Sequence, residues 1–297
     1  MLNIVRNKWR NIHLSENIIK LSVSWRFDKN SCRLYSIKKI VPNLVIIGSQ
    51  KCGTSSLCVY LNEHPEIYMS SPIKEPGYFI FKEWAKDYWK LRGKNIKSKK
   101  ELLKNLMISD DYIGQKYFGD GSTHYTIGDR VHKYDIASTI KKEVEKPKIL
   151  YIIRNPFERI TSSYYHAKKS WEHDKVFDVF LEENKDALKT TQYFEQIKPY
   201  IDKFKSDVLL LKFEDLIINP QQTLDEIYRF LNLEPYQNID FKVINQTRPN
   251  KTIKISSKAY HKLAPIFFDQ KDKIQNYFNE ELDWDLSEKT WIDNNHI

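Results

Sequence analysis

The sequence predicts an α/β fold, a three-layer sandwich in which a central parallel sheet is flanked by helices. Three short apolar runs have the composition of buried parallel strands, and a helical pattern follows each of them. These runs are Leu44–Ile47, Ile149–Ile153 and Val208–Leu211. Because strands and helices alternate, the sheet is expected to be parallel and covered on both faces. Ligands of such sheets bind beyond the carboxyl ends of the strands.

The predicted helices follow these strands in order. The first runs from about Thr54 to Glu63 and ends before Pro65, which disfavours helical backbone in the preceding residue. The second begins at Pro156 with Asn155 as its cap, and the third begins at Pro220 with Asn219 in the same position. A last amphipathic helix is expected from about His261 to Glu281.

Changes in composition along the chain predict its domain organisation. Residues 1–42 are rich in Asn and Lys and are expected to form an N-terminal extension, whereas residues 43–297 form a single domain. Within that domain, the segment 84–113 is aromatic and charged, with a capping box at Ser98 and Glu101. We expect this segment to be an insertion that forms a lid over the site.

Composition argues against several classes of protein. The 297 residues are 41% hydrophobic and 13% aromatic, which is enough for a sizeable core. Cys32, Cys52 and Cys58 have no paired spacing, which favours a reducing compartment over disulfides or a zinc site. No apolar run reaches the roughly 18 residues of a membrane span, and Met1–Lys20 lacks a signal-peptide pattern, so we expect a cytoplasmic protein without a membrane partner. The net charge of +9 is dispersed without a nucleic-acid-binding signature, so no nucleic-acid partner is predicted.

The segment Gly48–Ser56, here called the phosphate loop, lies between the first strand and the first helix. Gly48 and Gly53 have the G-x-x-x-x-G spacing of a P-loop, but Thr54 and Ser55 follow in place of Lys and Ser/Thr. The lysine is inside the loop instead, at Lys51. Glycines let backbone N–H groups approach an anion, and the helix N-terminus adds partial positive charge. The pattern predicts a P-loop-like phosphate site, while a solvated strand–helix turn is the structural alternative.

A second basic element follows the second strand. Arg154 stands at the strand end, where Mg²⁺-dependent kinases and ATPases carry an acid, so a metal-free site is predicted. Its planar guanidinium suits a bidentate phosphate contact, and Ser162 lies two helical turns further on. An arginine at a strand end is otherwise most often part of a structural ion pair. Together with the phosphate loop, however, two separate anion sites explain the pattern better.

These motifs resemble those of sulfotransferases that use 3′-phosphoadenosine-5′-phosphosulfate (PAPS). Lys51–Leu57 is similar to their 5′-phosphosulfate loop, and Arg154–Tyr164 is similar to their 3′-phosphate motif, R-[DN]-P-x-E-R-x-x-S-x-Y. Lys74–Phe79, Phe213–Leu216 and Leu282–Trp284 extend the likeness to roughly residues 43–285. The resemblance is greatest to the heparan-sulfate-type and bacterial branch. It implies PAPS as donor, 3′-phosphoadenosine-5′-phosphate (PAP) as product and no metal.

The resemblance also implies the roles of individual residues. The 5′-phosphosulfate would be held by members of the phosphate loop: Gly48, Lys51, Cys52, Gly53, Thr54, Ser55 and Ser56. Arg154 and Ser162 would hold the 3′-phosphate. Tyr193 matches a tyrosine near the adenine of relatives, with ordinary packing as the alternative, and Lys251 is the favoured basic residue of a late loop that closes over the 3′-phosphate.

Three residues are candidates for the acid–base chemistry. Lys51 suits stabilisation of the leaving oxygen. The resemblance implies Glu75 as the base, and a carboxylate that faces a lipophilic cleft is expected to have a raised pKa. His124 is the second candidate base, since an ordinary histidine pKa already suits this role. Gly121 stands where many relatives carry a catalytic lysine, so the proton relay of the heparan branch is in question.

The acceptor is the least constrained part of the prediction. Aromatic side chains in and beside the lid suit a sugar face or planar ring, and nearby acids suit a cationic group. They are Trp84, Tyr88, Trp89, Tyr112, Tyr117 and Phe118, with Asp110, Asp111 and Asp120. We expect a small-molecule or carbohydrate acceptor, with tailoring of a guanidinium alkaloid toxin as one hypothesis. A nucleotide kinase or phosphotransferase, and a non-catalytic anion- or nucleic-acid-binding protein, are the alternative functions. The sequence predicts no oligomeric state.

Overall fold

A five-stranded parallel sheet forms the middle layer of the structure, a computed structural model that describes residues 40–170, 175–241 and 254–292. Its strands are β1 (Leu44–Gly48), β2 (Ile67–Met69), β3 (Tyr117–Asp120), β4 (Lys148–Ile153) and β5 (Val208–Lys212). Their spatial order is β2-β3-β1-β4-β5, and every neighbouring pair is parallel. The predicted P-loop-like sandwich with a central parallel sheet is therefore confirmed.

The sheet is held by apolar side chains on both faces of its central strands. Residues 44–47 of β1 and 149–153 of β4 are fully buried. A strand buried on both faces cannot alternate polar and apolar residues, which explains the continuous apolar runs in the sequence. In register, Val45 of β1 pairs with Ile149 of β4 and with Asp120 of β3. The residues that follow these three strands therefore emerge at one edge of the sheet.

Helices cover the sheet and connect its strands. Those up to β4 are α1 (Thr54–Asn62), α2 (Lys86–Leu91), α3 (Lys99–Leu102), α4 (Arg130–Lys133) and α5 (Ile136–Glu143). Those after β4 are α6 (Pro156–Ser170), α7 (Phe177–Glu183), α8 (Lys185–Lys189), α9 (Tyr193–Phe204), α10 (Phe213–Ile218), α11 (Pro220–Leu231), α12 (Ser257–Phe278) and α13 (Glu288–Trp291).

The ends of the predicted helices are largely confirmed. The N–H groups of Phe157 and Glu158 donate to Asn155 Oδ1 at 3.0 and 3.3 Å, so Asn155 caps α6 as expected. Asn219 differs, because its side chain makes no capping hydrogen bond although α11 begins at Pro220. The last long helix begins four residues earlier than predicted. It starts at Ser257, where Ser256 Oγ accepts the N–H of Ala259.

The segment predicted to be a lid is only partly separate from the core. Ser98 caps α3 by accepting the N–H of Glu101, as the sequence indicated. Trp89 is buried, with its indole donating to Pro76 O at 2.9 Å. Tyr117 and Phe118 belong to β3 rather than to a lid. The aromatic side chains of this region are thus mainly core residues, apart from the pair described below. Of the N-terminal extension, residues 1–39 lie outside the described residues.

Candidate active site

Two glycines of the phosphate loop, Gly48 and Gly53, could not be replaced by another residue without strain. Gly48 closes β1 with φ +150°, and a Cβ there would lie 2.1 Å from Thr126 Oγ1. Gly53 precedes α1 in the left-handed region, with φ +83°, and a Cβ there would lie 2.7 Å from the Phe213 ring. Between them, the N–H of Ser49 donates to Ile152 O of β4 at 2.7 Å. The loop is therefore fastened to the sheet on one side and to α1 on the other.

Positive charge converges on this loop. The phosphate loop runs into the N-terminus of α1, which begins at Thr54, and the first backbone N–H groups of a helix have no carbonyl partner in the preceding turn, a geometry that suits an anion. Lys51 also adopts a left-handed backbone, with φ 70°. Burial, and then the nearby charges of Arg159, Arg154 and Lys74, lower the pKa of Lys51 to about 8. A bound anion would offset this repulsion, so the electrostatics suit a polyanionic ligand.

Arg154 follows β4 directly and lies beside the phosphate loop. Its Nη2 is 2.9 Å from Glu158 Oε2, and its Nη1 is 3.5 Å from Lys51 O. The guanidinium carbon lies 4.2 Å from the centre of the Phe213 ring. Ser162, which is 4% exposed, is one turn beyond Glu158 on the same face of α6. Arg154, which precedes α6, is thus joined through Glu158 to the face of α6 that carries Ser162.

Arg159 is a member of the site that the sequence prediction missed. It is completely buried under the phosphate loop, with Nε donating to Gln50 O at 3.1 Å. Its Nη1 donates to Thr191 Oγ1 at 2.8 Å and to Ala187 O. Arg159 therefore ties the phosphate loop to the segment that leads into α9. The signal was present, because the second arginine of the Arg154–Tyr164 motif is this residue.

Two predicted donor-binding residues have a different place in the structure. Cys52 is fully buried, its N–H donates to Ser49 O at 3.2 Å, and burial raises the pKa of its thiol to about 11. Tyr193 is also fully buried, and its hydroxyl donates to Arg154 O at 2.8 Å. Tyr193 Oη is 3.9 Å from Cys52 Sγ. Both side chains are packed in the interior beneath the phosphate loop and Arg154, as in the packing alternative for Tyr193.

The two candidate bases lie in contact with each other. Glu75 Oε2 is 3.4 Å from His124 Nε2 and accepts the hydroxyl of Thr123 at 3.1 Å. Its other oxygen, Oε1, is 2.8 Å from Lys74 Nζ. Burial alone would raise the pKa of Glu75, but the charges of Lys74 and His124 and the hydrogen bonds outweigh it and hold the pKa below its usual value. The expectation of a raised pKa for Glu75 is therefore wrong.

His124 is neutral near pH 7. Burial, reinforced by the charges of Arg130, Lys74 and Arg92, lowers its pKa to about 4 despite the opposing effect of Glu75. Its Nδ1 is buried without a hydrogen-bond partner among the described residues. The expectation that His124 would titrate at its ordinary pKa is thus also wrong. At neutral pH the structure presents an ionised carboxylate beside a neutral imidazole.

Two aromatic rings form a wall beside these bases. The centre of the Trp84 ring is 4.3 Å from that of His124, and Tyr88 stacks on Trp84 at 4.4 Å. The Arg130 guanidinium lies 5.0 Å from the Trp84 ring centre, and the Arg92 guanidinium lies 4.4 Å from that of Tyr88. Neither arginine forms an ion pair with a carboxylate in the part of the chain that the structure describes. Asp120 does not belong to this wall, because it is fully buried and accepts the hydroxyls of Ser122 and Tyr125.

Residues 41–282 match the model of the sulfotransferase domain. The chain belongs to the sulfotransferase family. A relative within the curated proteins is the bifunctional heparan sulfate N-deacetylase/N-sulfotransferase 3 of Mus musculus, which is 24% identical over 71% of this chain and 25% of its own length. Another is carbohydrate sulfotransferase 15 of Rattus norvegicus, 22% identical over 77% of this chain and 50% of its own. The chain therefore spans between a quarter and a half of the length of these relatives.

The solved structures agree on the fold. A sulfotransferase from Alicyclobacillus acidocaldarius superposes with a TM-score of 0.60 at 21% identity, covering 82% of this chain and 98% of that structure. Membership of the sulfotransferase family implies PAPS as the donor, so the residues of this site should fit PAPS. The residues present suit PAPS, because the N-terminus of α1, Lys51 and Arg154 bring positive charge together at the phosphate loop, and Ser162 adds a hydroxyl on α6.

Some predictions about ligands fall outside what the structure describes or tests. Lys251 lies in 242–253, outside the described residues. Within the described ranges, no group of three or more His, Cys, Asp and Glu side chains is arranged to hold a metal ion. None of the helices described is long and apolar enough to cross a membrane.

Proposed function

We propose that this chain transfers the sulfuryl group of PAPS to a hydroxyl or amine of a small-molecule or carbohydrate acceptor, without a metal. The observation that carries the proposal is the convergence of two basic elements at the ends of adjacent strands. The phosphate loop follows β1 and Arg154 follows β4, and Arg154 Nη1 lies 3.5 Å from Lys51 O. A ligand phosphorylated at both its 5′ and 3′ positions satisfies both elements at once. We also propose a cytoplasmic location, as the sequence predicts.

The roles of the residues follow from their positions. Lys51, Thr54, Ser55 and Ser56 hold the 5′ end of the donor, and Arg154 with Ser162 holds the 3′-phosphate. PAPS supplies the sulfuryl group, whose bond to the 5′-phosphate breaks as the acceptor oxygen or nitrogen forms a bond to sulfur. Lys51 stabilises the charge that develops on the leaving phosphate oxygen. Glu75 takes the proton of the acceptor, and His124 positions Glu75 through the 3.4 Å contact.

The wall beside Glu75 supports one class of acceptor over another. Trp84 and Tyr88 suit a sugar face or a planar ring. However, Arg130 and Arg92 already lie against these rings, at 5.0 and 4.4 Å. Two cations repel a third, so the arrangement favours a neutral or anionic acceptor over the guanidinium alkaloid hypothesis. This preference is tested by incubation with PAPS and pairs of hydroxyl compounds of similar shape that differ in charge, read by mass spectrometry. Faster sulfation of the cationic members would contradict it.

The donor assignment has its own test. Calorimetric titration in EDTA is expected to show tight binding of PAP and much weaker binding of AMP, which lacks the 3′-phosphate. Equal affinities for PAP and AMP would refute the assignment of Arg154 and Ser162. Binding of ATP that requires Mg²⁺ would favour the kinase alternative instead. Binding that falls steeply with salt and ignores the 3′-phosphate would favour a general anion- or nucleic-acid-binding protein.

A further inference from the structure

Lys74 joins the donor and acceptor sides of the site, although no role has so far been assigned to it. Its Nζ donates to Thr54 Oγ1 at 2.9 Å, and Thr54 is the first residue of α1 at the end of the phosphate loop. The same Nζ donates to Glu75 Oε1 at 2.8 Å. One ammonium group therefore contacts both a loop residue that faces the donor and the carboxylate that faces the acceptor.

The surroundings of Lys74 direct its side chain to this place. A Cβ added at Gly121 would lie 3.4 Å from Lys74 Cε and 3.5 Å from its Cγ, as well as 2.6 Å from Cys58 Sγ. The aliphatic stem of Lys74 thus packs over Gly121, in space that a longer side chain at position 121 would partly occupy. The side chain is only 26% exposed. Gly121 therefore lies within ordinary van der Waals contact distance of the Lys74 stem, and the tightest neighbour of an added Cβ there is Cys58 Sγ.

The ammonium group of Lys74 acts on the pKa values of two other residues of the site. Lys74 is one of the charges that lower the pKa of Lys51, so both lysines face the same region. Lys74 is also the main charge that holds the pKa of Glu75 down. A base with a low pKa is a weak proton acceptor, so the contact that keeps Glu75 ionised also limits its basicity.

We propose that Lys74 is a catalytic residue whose ammonium group binds the sulfonate oxygens of the donor and releases Glu75 Oε1 in doing so. The proposal rests on the proposed function. Lys74 forms no covalent bond during transfer. The bond from sulfur to the acceptor atom forms, the bond from sulfur to the 5′-phosphate oxygen breaks with its electron pair left on that oxygen, and the acceptor proton goes to Glu75. Release by Lys74 raises the pKa of Glu75 when the donor is present, and this couples donor binding to the strength of the base.

The test compares two ligands that differ by the sulfonate alone. In wild-type protein and in Lys74→Met, the Kd values of PAPS and PAP are measured by calorimetry without an acceptor. A charge-assisted hydrogen bond is worth about 1.5–3 kcal/mol. Lys74→Met is therefore expected to raise the Kd of PAPS roughly 10- to 100-fold and the Kd of PAP far less. Lys74→Arg, which keeps the charge, should retain the preference for PAPS. Lys100→Met, at an exposed lysine of α3, is the matched control and should change neither Kd.

Each outcome decides the proposal. If Lys74→Met loses PAPS and PAP affinity equally, Lys74 only supports the phosphate loop through Thr54, and the proposal is refuted. If neither affinity falls, Lys74 does not contact the donor, and the proposal is also refuted. If Lys74→Met does not fold, by circular dichroism, Lys74→Gln gives the same ratio because glutamine keeps hydrogen bonds without charge. Wild-type protein that binds neither PAPS nor PAP would instead refute the proposed function, which separates the two failures.

Discussion

Glu75 Oε2 and His124 Nε2 lie 3.4 Å apart, so the two candidate bases form a single unit rather than alternatives. The carboxylate is ionised near pH 7 and the imidazole is neutral, since their pKa values are both below the usual range. Glu75 carries the negative charge and is also in contact with Lys74. The geometry therefore favours Glu75 as the proton acceptor, with His124 as its positioning residue.

The first prediction concerns these two residues. Glu75→Gln keeps the shape of the side chain but cannot take a proton, so turnover with PAPS is expected to fall by about 10²- to 10⁴-fold. His124→Ala removes the contact to Glu75 and the packing against the Trp84 ring but leaves the proton acceptor in place, so it should lower turnover less. The Kd of PAP, measured by calorimetry, should be almost unchanged in both variants. A fully active Glu75→Gln together with an inactive His124→Ala would reverse these roles.

The second prediction concerns the pH dependence of donor-product binding. The pKa of Lys51 is lowered to about 8 by burial and by neighbouring cations, and a bound phosphate raises it again. PAP is therefore expected to bind at full strength from about pH 7, where its phosphates are doubly charged, to about pH 8, and more weakly above that, by up to about ten-fold per pH unit. Lys51→Arg stays charged throughout this range and should bind PAP with little pH dependence. The measurement is calorimetry at several pH values, and a wild-type Kd that stays constant as pH rises above 8 contradicts this pKa.

The third prediction separates the two ends of the donor. Arg154→Gln is expected to weaken PAP roughly 10- to 100-fold, because one charge-assisted contact is lost, and to leave AMP nearly unaffected. Arg229→Gln, at an exposed arginine of α11, is the matched control. The readout is the ratio of the PAP and AMP Kd values in each variant. An equal loss for both nucleotides would place Arg154 away from the 3′-phosphate.

The fourth prediction concerns the buried Arg159. Arg159→Met leaves Gln50 O and Thr191 Oγ1 without the Arg159 donor in the interior, whereas Ala187 O still accepts the hydroxyl of Thr191 at 2.9 Å. Unsatisfied buried groups cost about 1–3 kcal/mol each, so the free energy of unfolding should fall by at least about 2 kcal/mol in urea titrations. Arg229→Met, at a surface position, is expected to stay within about 0.5 kcal/mol of wild type. Similar stability of the two variants would show that Arg159 does not fasten the phosphate loop.

The fifth prediction uses two glycines that share a backbone conformation. Gly53 has φ +83° and Gly93 has φ +73°, but an added Cβ at 53 meets the Phe213 ring at 2.7 Å whereas one at 93 meets nothing within 4 Å. Alanine at either position costs about 1–2 kcal/mol for the left-handed backbone. Only Gly53→Ala should also weaken PAP binding, because the start of α1 must shift. PAP affinity that falls equally in both variants would mean that backbone strain alone is responsible.

The sequence predicted the parts of the fold that depend on local pattern. β1, β4 and β5 were found because strands buried on both faces are continuous apolar runs. β2 and β3 were missed, since Ile67–Met69 is only three residues long and Tyr117–Asp120 ends in Gly and Asp. Asn155 was recognised as a cap from its neighbour Pro156, whereas the side chain of Asn219 makes no such bond.

The candidate site was predictable where its residues are close together along the chain. Spacing and the family resemblance singled out the phosphate loop and Arg154, and the structure places Arg154 Nη1 3.5 Å from Lys51 O of that loop. The directions of the Cys52 and Tyr193 side chains could not be predicted, because packing between distant segments buries both side chains. The pKa values expected for Glu75 and His124 were wrong for the same reason. They depend on Lys74 and on a contact between loops that follow two different strands.

The strand order β2-β3-β1-β4-β5 separates two sets of residues in this sulfotransferase, those assigned to the nucleotide and those assigned to proton transfer. The groups assigned to the nucleotide follow β1 and β4, whereas Glu75 comes after β2 and His124 after β3. A redesign of substrate choice can therefore be confined to the segments after β2 and β3, with the nucleotide cradle left intact. Lys74 is the exception, because it reaches across this boundary to Thr54, and it is the residue that a grafted segment would have to preserve.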